Sequence, residues 1–287
     1  MLVRLDKWMA ASPWHPRVTP FFVYILGLAV SGALTPEGRL GAYAYLPLYA
    51  LICGVIVFLL WRYRALTPEL NLRFHWTVLP SAGLLLAAWL LLGHGYNRLM
   101  GVEDARVALA DADVFGPLAA GSTLAFGAAF VARGLGMSLV VPLFEELFVR
   151  SAVLRAVHRW RGTRTGLLQF AGDMPGLGDA IAERPSVEAA QKEPPALTKQ
   201  LIETSLGAVT LFSAFASTVV FAASHGVRDW AGCFACGFVW CAMIAYTNRP
   251  SLPEDRRAGL GPVIWSHGLV NAGLWGWTWW SGDWQFL

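Results

Sequence analysis

The sequence predicts an all-α fold: a polytopic bundle of seven or eight transmembrane helices forming one membrane domain over residues 1–287. Three observations predict it. Apolar residues make up 56% of the chain and charged residues 14%, with a mean hydropathy of +0.49, a balance outside the range of soluble domains. Uncharged apolar stretches recur at about 20 residues, the length that crosses a hydrocarbon core. Many of the 14 Trp fall near the ends of those stretches, at the depth where amphipathic rings settle.

The first span is expected over residues 21–34. No small-residue cleavage site follows it, so it reads as a retained span rather than a signal peptide. Pro36-Glu37-Gly38 supplies a turn before the second span, 42–61, and Arg62, Arg64 and Arg73 separate that from the third, 76–92. The stretch 96–115 carries Glu103, Asp104, Asp111 and Asp113 and reads as an extramembrane loop. Residues 118–160 are apolar for longer than one crossing needs, with interruptions at Arg133-Gly134 and Pro142. They fit two spans, or one span with a re-entrant or interfacial helix. Gly, Pro, Glu, Lys and Gln dominate residues 161–205, which read as a polar extramembrane loop, partly flexible, with room for a short amphipathic helix. Apolar segments resume at 206–224, 230–246 and 260–280.

Basic residues act as topology signals. Arg4, Lys7 and Arg17, the loop after the second span, the 159–199 region and the 248–257 loop all favour the cytoplasm. Seven spans satisfy them together, whereas eight would split the N-terminal segment from the 161–205 loop. No internal repeat of the transporter kind is evident. With a net charge of +3 and no basic patch interleaved with aromatics, nucleic acid is excluded as a partner. Cys53, Cys233, Cys236 and Cys241 all lie in apolar segments, and Cys233-x-x-Cys236 has no second pair with which to complete a zinc site. Serine elbows, phosphate loops and H-E-x-x-H helices are missing from the sequence.

Ionisable groups at membrane depth are costly, so each is a candidate for function. Glu145 and Glu146 sit in one apolar segment with Arg150. On a helix Glu146 and Arg150 are four apart and can pair, which assigns them a structural role. Glu145 points about 100° away, leaving a free carboxylate suited to general base chemistry in a wet cavity. The alternative is that both acids only tie helices together. His225 ends the 206–224 segment, and His267 and Asn271, again four apart, project to one side of the last segment. An imidazole can bind a metal, hold a water or donate to an oxyanion, and an amide can donate beside it. His15, His75, His94 and His158 read as interfacial or structural, and Asp229 as the loop-end partner of Arg228.

Glu145-Glu146-x-x-x-Arg150, Phe221-x-x-x-His225 and His267-x-x-x-Asn271, in this order on successive apolar segments, resemble the three motifs of the CPBP family, the CAAX proteases and bacteriocin-processing proteins. The resemblance covers residues 135–280. The short format with a long loop after the first motif is similar to the exosortase-associated branch. The resemblance implies an intramembrane endopeptidase of a bacterial inner (cytoplasmic) membrane, acting on a membrane-associated protein or peptide. It implies that Glu145 and His225 activate a water, that His267 and Asn271 stabilise the oxyanion, and that Glu146, Arg150 and Phe221 support the site. The family's metal-dependent description implies instead Zn²⁺ held by His225, His267 and Glu145. A non-catalytic membrane scaffold or immunity protein, and a Glu/His proton-coupled transporter, are the rival readings.

Overall fold

The computed structural model describes residues 2–34, 39–101, 108–112 and 114–286, and among these the structure is entirely helical, without strands. The turn expected at residues 36–38, and Glu103, Asp104 and Asp113, lie outside the described residues. The main helices are α1 (Leu2–Ala10), α2 (His15–Leu34), α3 (Arg39–Arg62), α4 (Val78–Leu99), α5 (Phe115–Gly121) and α6 (Thr123–Ala156). After them come α7 (Trp160–Asp173), α8 (Leu177–Ile181), α9 (Pro185–Gln191), α10 (Ala196–Glu203), α11 (Leu211–Ala223), α12 (Trp230–Thr247) and α13 (Gly261–Ser281). Four helices are long and apolar enough to cross a membrane: those over Tyr43–Arg62, Val78–Leu99, Thr123–Ala156 and Val227–Thr247. Leu51, Leu84, Leu91 and Phe215 point outward, as side chains facing lipid must.

Helix α6 is the hub, touching α2, α3, α11 and α13. At 34 residues it is about 50 Å long, ample for one crossing. One unbroken helix therefore replaces the interrupted pair that Arg133-Gly134 and Pro142 suggested. Ser122 caps its start, accepting a hydrogen bond from the Ala125 amide. Pro142 is absorbed because the preceding turn, Gly136–Val140, is a π-helix. Wide turns of this kind recur where a helix must re-aim side chains. A second π-turn, Leu147–Val153, follows the two glutamates.

The first π-turn also sets how α13 docks. A Cβ on Gly268 would stand 2.5 Å from the Ser138 carbonyl oxygen, a backbone atom that cannot step aside. Gly268→Ala is thus expected to destabilise the protein by about 1–3 kcal/mol, the usual cost of overpacking, read as a lower thermal midpoint in detergent.

Three expectations need correction. The acidic loop does not begin at Tyr96, because α4 continues to Leu99 and α5 starts at Phe115. The 161–205 region is not a loop but four short helices, α7 to α10. The residues of these helices are largely exposed, and the backbone ends are tied by glutamines. Gln169 Nε2 donates to the carbonyls of Ala190 and Glu193, and Gln200 Nε2 donates to the last carbonyl of α6, that of Ala156. Finally, the 206–224 segment is helical only over Leu211–Ala223, opening with a Thr210–Ser213 capping box.

At the basic end of the bundle, Glu69 joins three elements. Arg17 of α2 grips it at 2.7 and 3.1 Å, Arg155 of α6 donates to it at 2.9 Å, and the Ser151 hydroxyl also donates to it. Burial pushes Glu69 up, but the Arg17 hydrogen bonds and the charges of Arg17 and Arg155 outweigh it and hold the carboxyl below the usual carboxylate range. A depressed folded pKa contributes stability that is complete above the unfolded value and is lost as pH falls through the folded value. Thermal unfolding is expected to show an acid limb below the ordinary glutamate range that Glu69→Gln flattens.

Candidate functional site

The paired glutamates fall between the two π-turns of α6, and both side chains are turned into the bundle: Glu145 is 8% exposed and Glu146 fully buried. His267 of α13 lies between them. Its Nδ1 is 2.9 Å from Glu146 Oε1, and its Nε2 is 3.8 Å from Glu145 Oε2, beyond hydrogen-bond reach. A carboxylate can only accept, so Nδ1 carries a proton and Nε2 is the atom presented to Glu145.

Glu146 also pairs with Arg150, Nε to Oε2 at 3.5 Å, with neither side chain exposed. The expectation gave Glu146 to Arg150 alone. Instead it has two partners, and it couples Arg150 to His267 through one carboxylate. The guanidinium makes no hydrogen bond among the described residues. It is held by charge and by two aromatic faces, those of Phe221 at 4.9 Å and Trp240 at 5.6 Å. The same two rings fix His267, Trp240 stacking on it at 4.5 Å and Phe221 meeting it edge-on at 6.0 Å. Trp240 is itself oriented by its Nε1–H, which donates to Ser266. Nothing in the sequence singles out Trp240, an aromatic among apolar neighbours on a membrane helix.

Asn271 lies one turn beyond His267, and its Nδ2 donates to the Met137 carbonyl at 2.7 Å. That carbonyl is free for a local reason. The π-turn sends the Val141 amide to Gly136 instead, and Pro142 has no N–H to offer. The bond occupies one amide proton of Asn271 and orients the other. His225 follows the end of α11, where its Nδ1 is 2.9 Å from the Phe221 carbonyl. A carbonyl only accepts, so Nδ1 carries the proton and Nε2 is left as an acceptor.

Glu145, His225, His267 and Asn271 line one cavity of about 330 Å³, together with Tyr24, Trp89 and Arg133. Glu146, Arg150 and Phe221 stand behind its wall. Arg133, read from the sequence only as an interruption, was visible there as an arginine at membrane depth. It lies 5.6 Å over the Tyr49 ring. Arg228 and Asp229 pair at 3.5 Å at the same cavity, and Arg228 also donates to the Gln285 carbonyl. Of the remaining histidines, His15 stacks on Trp8, His75 bonds Thr77 and His94 meets Phe286, whereas His158 accepts from Thr210 only through its backbone carbonyl and its Nδ1 makes no hydrogen bond among the described residues. All four cysteines are free thiols.

The zinc set expected from the family description does not fit. Among the described residues no three His, Cys, Asp or Glu side chains converge as a metal-binding group. His267 Nε2 and Glu145 Oε2 face one another at 3.8 Å, and His225 does not join them as a third converging ligand.

No family model, curated protein or solved structure matches the chain.

Proposed function

We propose that the chain is an intramembrane endopeptidase of the CPBP type, cleaving a peptide bond in a membrane-associated protein or peptide at the Glu145–His267 cavity. Seven spans, with α6 crossing once, agree with the basic loops, and a bacterial cytoplasmic membrane is the setting this reading assigns. The observation that carries it is the 3.8 Å gap between Glu145 and His267 in a cavity also lined by His225 and Asn271.

Arg150, Glu146, His267 and Glu145 form a chain of charges inside an apolar bundle. It is neutral overall when one proton is shared by Glu145 and His267, the state of least cost in such surroundings. With that proton on His267, Glu145 is a carboxylate ready to act as base. A water oriented by Glu145 and by the free Nε2 of His225 attacks the scissile carbonyl carbon, and Glu145 takes its proton. The carbonyl oxygen becomes an oxyanion, met by Nε2–H of His267 and the second N–H of Asn271. Collapse breaks the C–N bond as Glu145 returns the proton to the departing amine. No step involves a metal.

The test is cleavage of a membrane-peptide library in proteoliposomes by wild type and by Glu145→Ala, His225→Ala and His267→Ala, with and without EDTA. Wild type is expected to cleave in EDTA and each variant to fail. Full activity in all three variants would overturn the assignment and favour the scaffold reading, which needs Arg150 but not Glu145.

A further inference from the structure

A second cavity, of about 380 Å³, opens at the basic end of the bundle, between α1, α2, α6 and α10, away from the Glu145–His267 cavity. Arg17 and Arg155 line it together with Ser12, and apolar side chains that include Met9, Leu66, Leu201 and Ile202 form the rest of its wall. Among the described residues the cluster behind it pairs two cations, Arg17 and Arg155, with one anion, Glu69, an excess of one positive charge. These side chains are only 9–12% exposed, a setting in which an unpaired charge is expensive and an incoming anion is held firmly. The hydrogen bonds of Arg155 run through Nε and Nη2, and Nη1 has no partner among the described residues.

The surroundings indicate which anion. Helix α1 exposes Leu2, Val3 and Trp8 beside Arg4 and Lys7, the pattern of a helix lying in the membrane interface. Ile202, at the cavity rim, is also exposed. A charged base with apolar walls at headgroup depth matches a phosphate with acyl chains attached, and basic pockets between helices on the cytoplasmic side recognise such headgroups. We propose that the Arg17–Arg155 cavity binds a phosphate-bearing anion, supplied by the headgroup of an anionic phospholipid.

The experiment uses the full chain in phosphatidylcholine nanodiscs doped with phosphatidylglycerol, counting retained lipids by native mass spectrometry. Ile202→Glu and Ala10→Glu each add a carboxylate at an exposed rim position on different helices, leaving Arg17, Glu69 and Arg155 in place. Phosphatidylglycerol is expected to be retained over phosphatidylcholine, and either variant to weaken retention about fivefold, the effect of one charge near a membrane surface. Competition by soluble glycerol phosphate at equal concentration would support the same anion site but assign it to a soluble ligand. Equal retention of the two lipids, or retention of phosphatidylglycerol unchanged in both variants, would overturn the proposal.

Discussion

Glu145→Gln is expected to lower the cleavage rate by about 10²–10⁴-fold, the usual contribution of a positioned general base, while leaving the protein folded. The amide has nearly the volume of the carboxylate and faces the cavity rather than a packed wall. It can still hold a water, but it cannot take the water's proton or return it to the leaving amine. Among the described residues Glu145 Oε2 makes no hydrogen bond and faces His267 Nε2 at 3.8 Å, so the amide breaks no hydrogen bond through that oxygen. Loss of rate with an unchanged thermal midpoint in detergent is therefore the expected pattern. A lower midpoint with residual activity in the folded fraction would mark Glu145 as a structural acid.

Arg150→Met is expected to give the opposite pattern, a loss of about 3–5 kcal/mol in stability. The substitution leaves the fully buried Glu146 carboxylate with His267 as its one partner among the described residues. It also removes the cation that Phe221 and Trp240 enclose, so the rings that fix His267 lose what they pack on. Adding Glu146→Gln to Arg150→Met should recover part of the stability, because a neutral amide no longer needs the guanidinium. Activity should not return, because His267 Nδ1 no longer has a carboxylate to set its tautomer. Thermal unfolding and cleavage measured on the same preparations separate the two effects.

What could be read in the sequence was set by periodicity and cost. Apolar stretches of span length located most of the helices, and an i, i+4 relation put Glu146 with Arg150, as the 3.5 Å pair shows. Helical spacing within one segment could not reveal that Glu146 also meets His267, 121 residues away, since that contact depends on how α13 docks against α6. Docking depends on a backbone event, the π-turn before Pro142, which no composition signal announces. The same event frees the Met137 carbonyl and thereby occupies one proton of Asn271. In the 161–205 region low apolar content reads as a partly flexible loop, because polarity alone does not separate a loop from an exposed helix. Helices there are largely exposed and are closed by Gln169 and Gln200, so low apolar content and regular structure coexist. Glu69 and Arg155 were overlooked because their partners come from distant elements, α2 and the loop before α4, at no fixed spacing.

Activation of a water by Glu145 against a peptide bond is read from cleavage in proteoliposomes prepared in ¹⁸O-water, with the products weighed by mass spectrometry. The wild type is expected to release a fragment whose new C-terminal carboxyl carries one heavy oxygen, and the Glu145→Gln variant, though folded like wild type, to release none. The same labelled fragment at an undiminished rate from Glu145→Gln would contradict that activation.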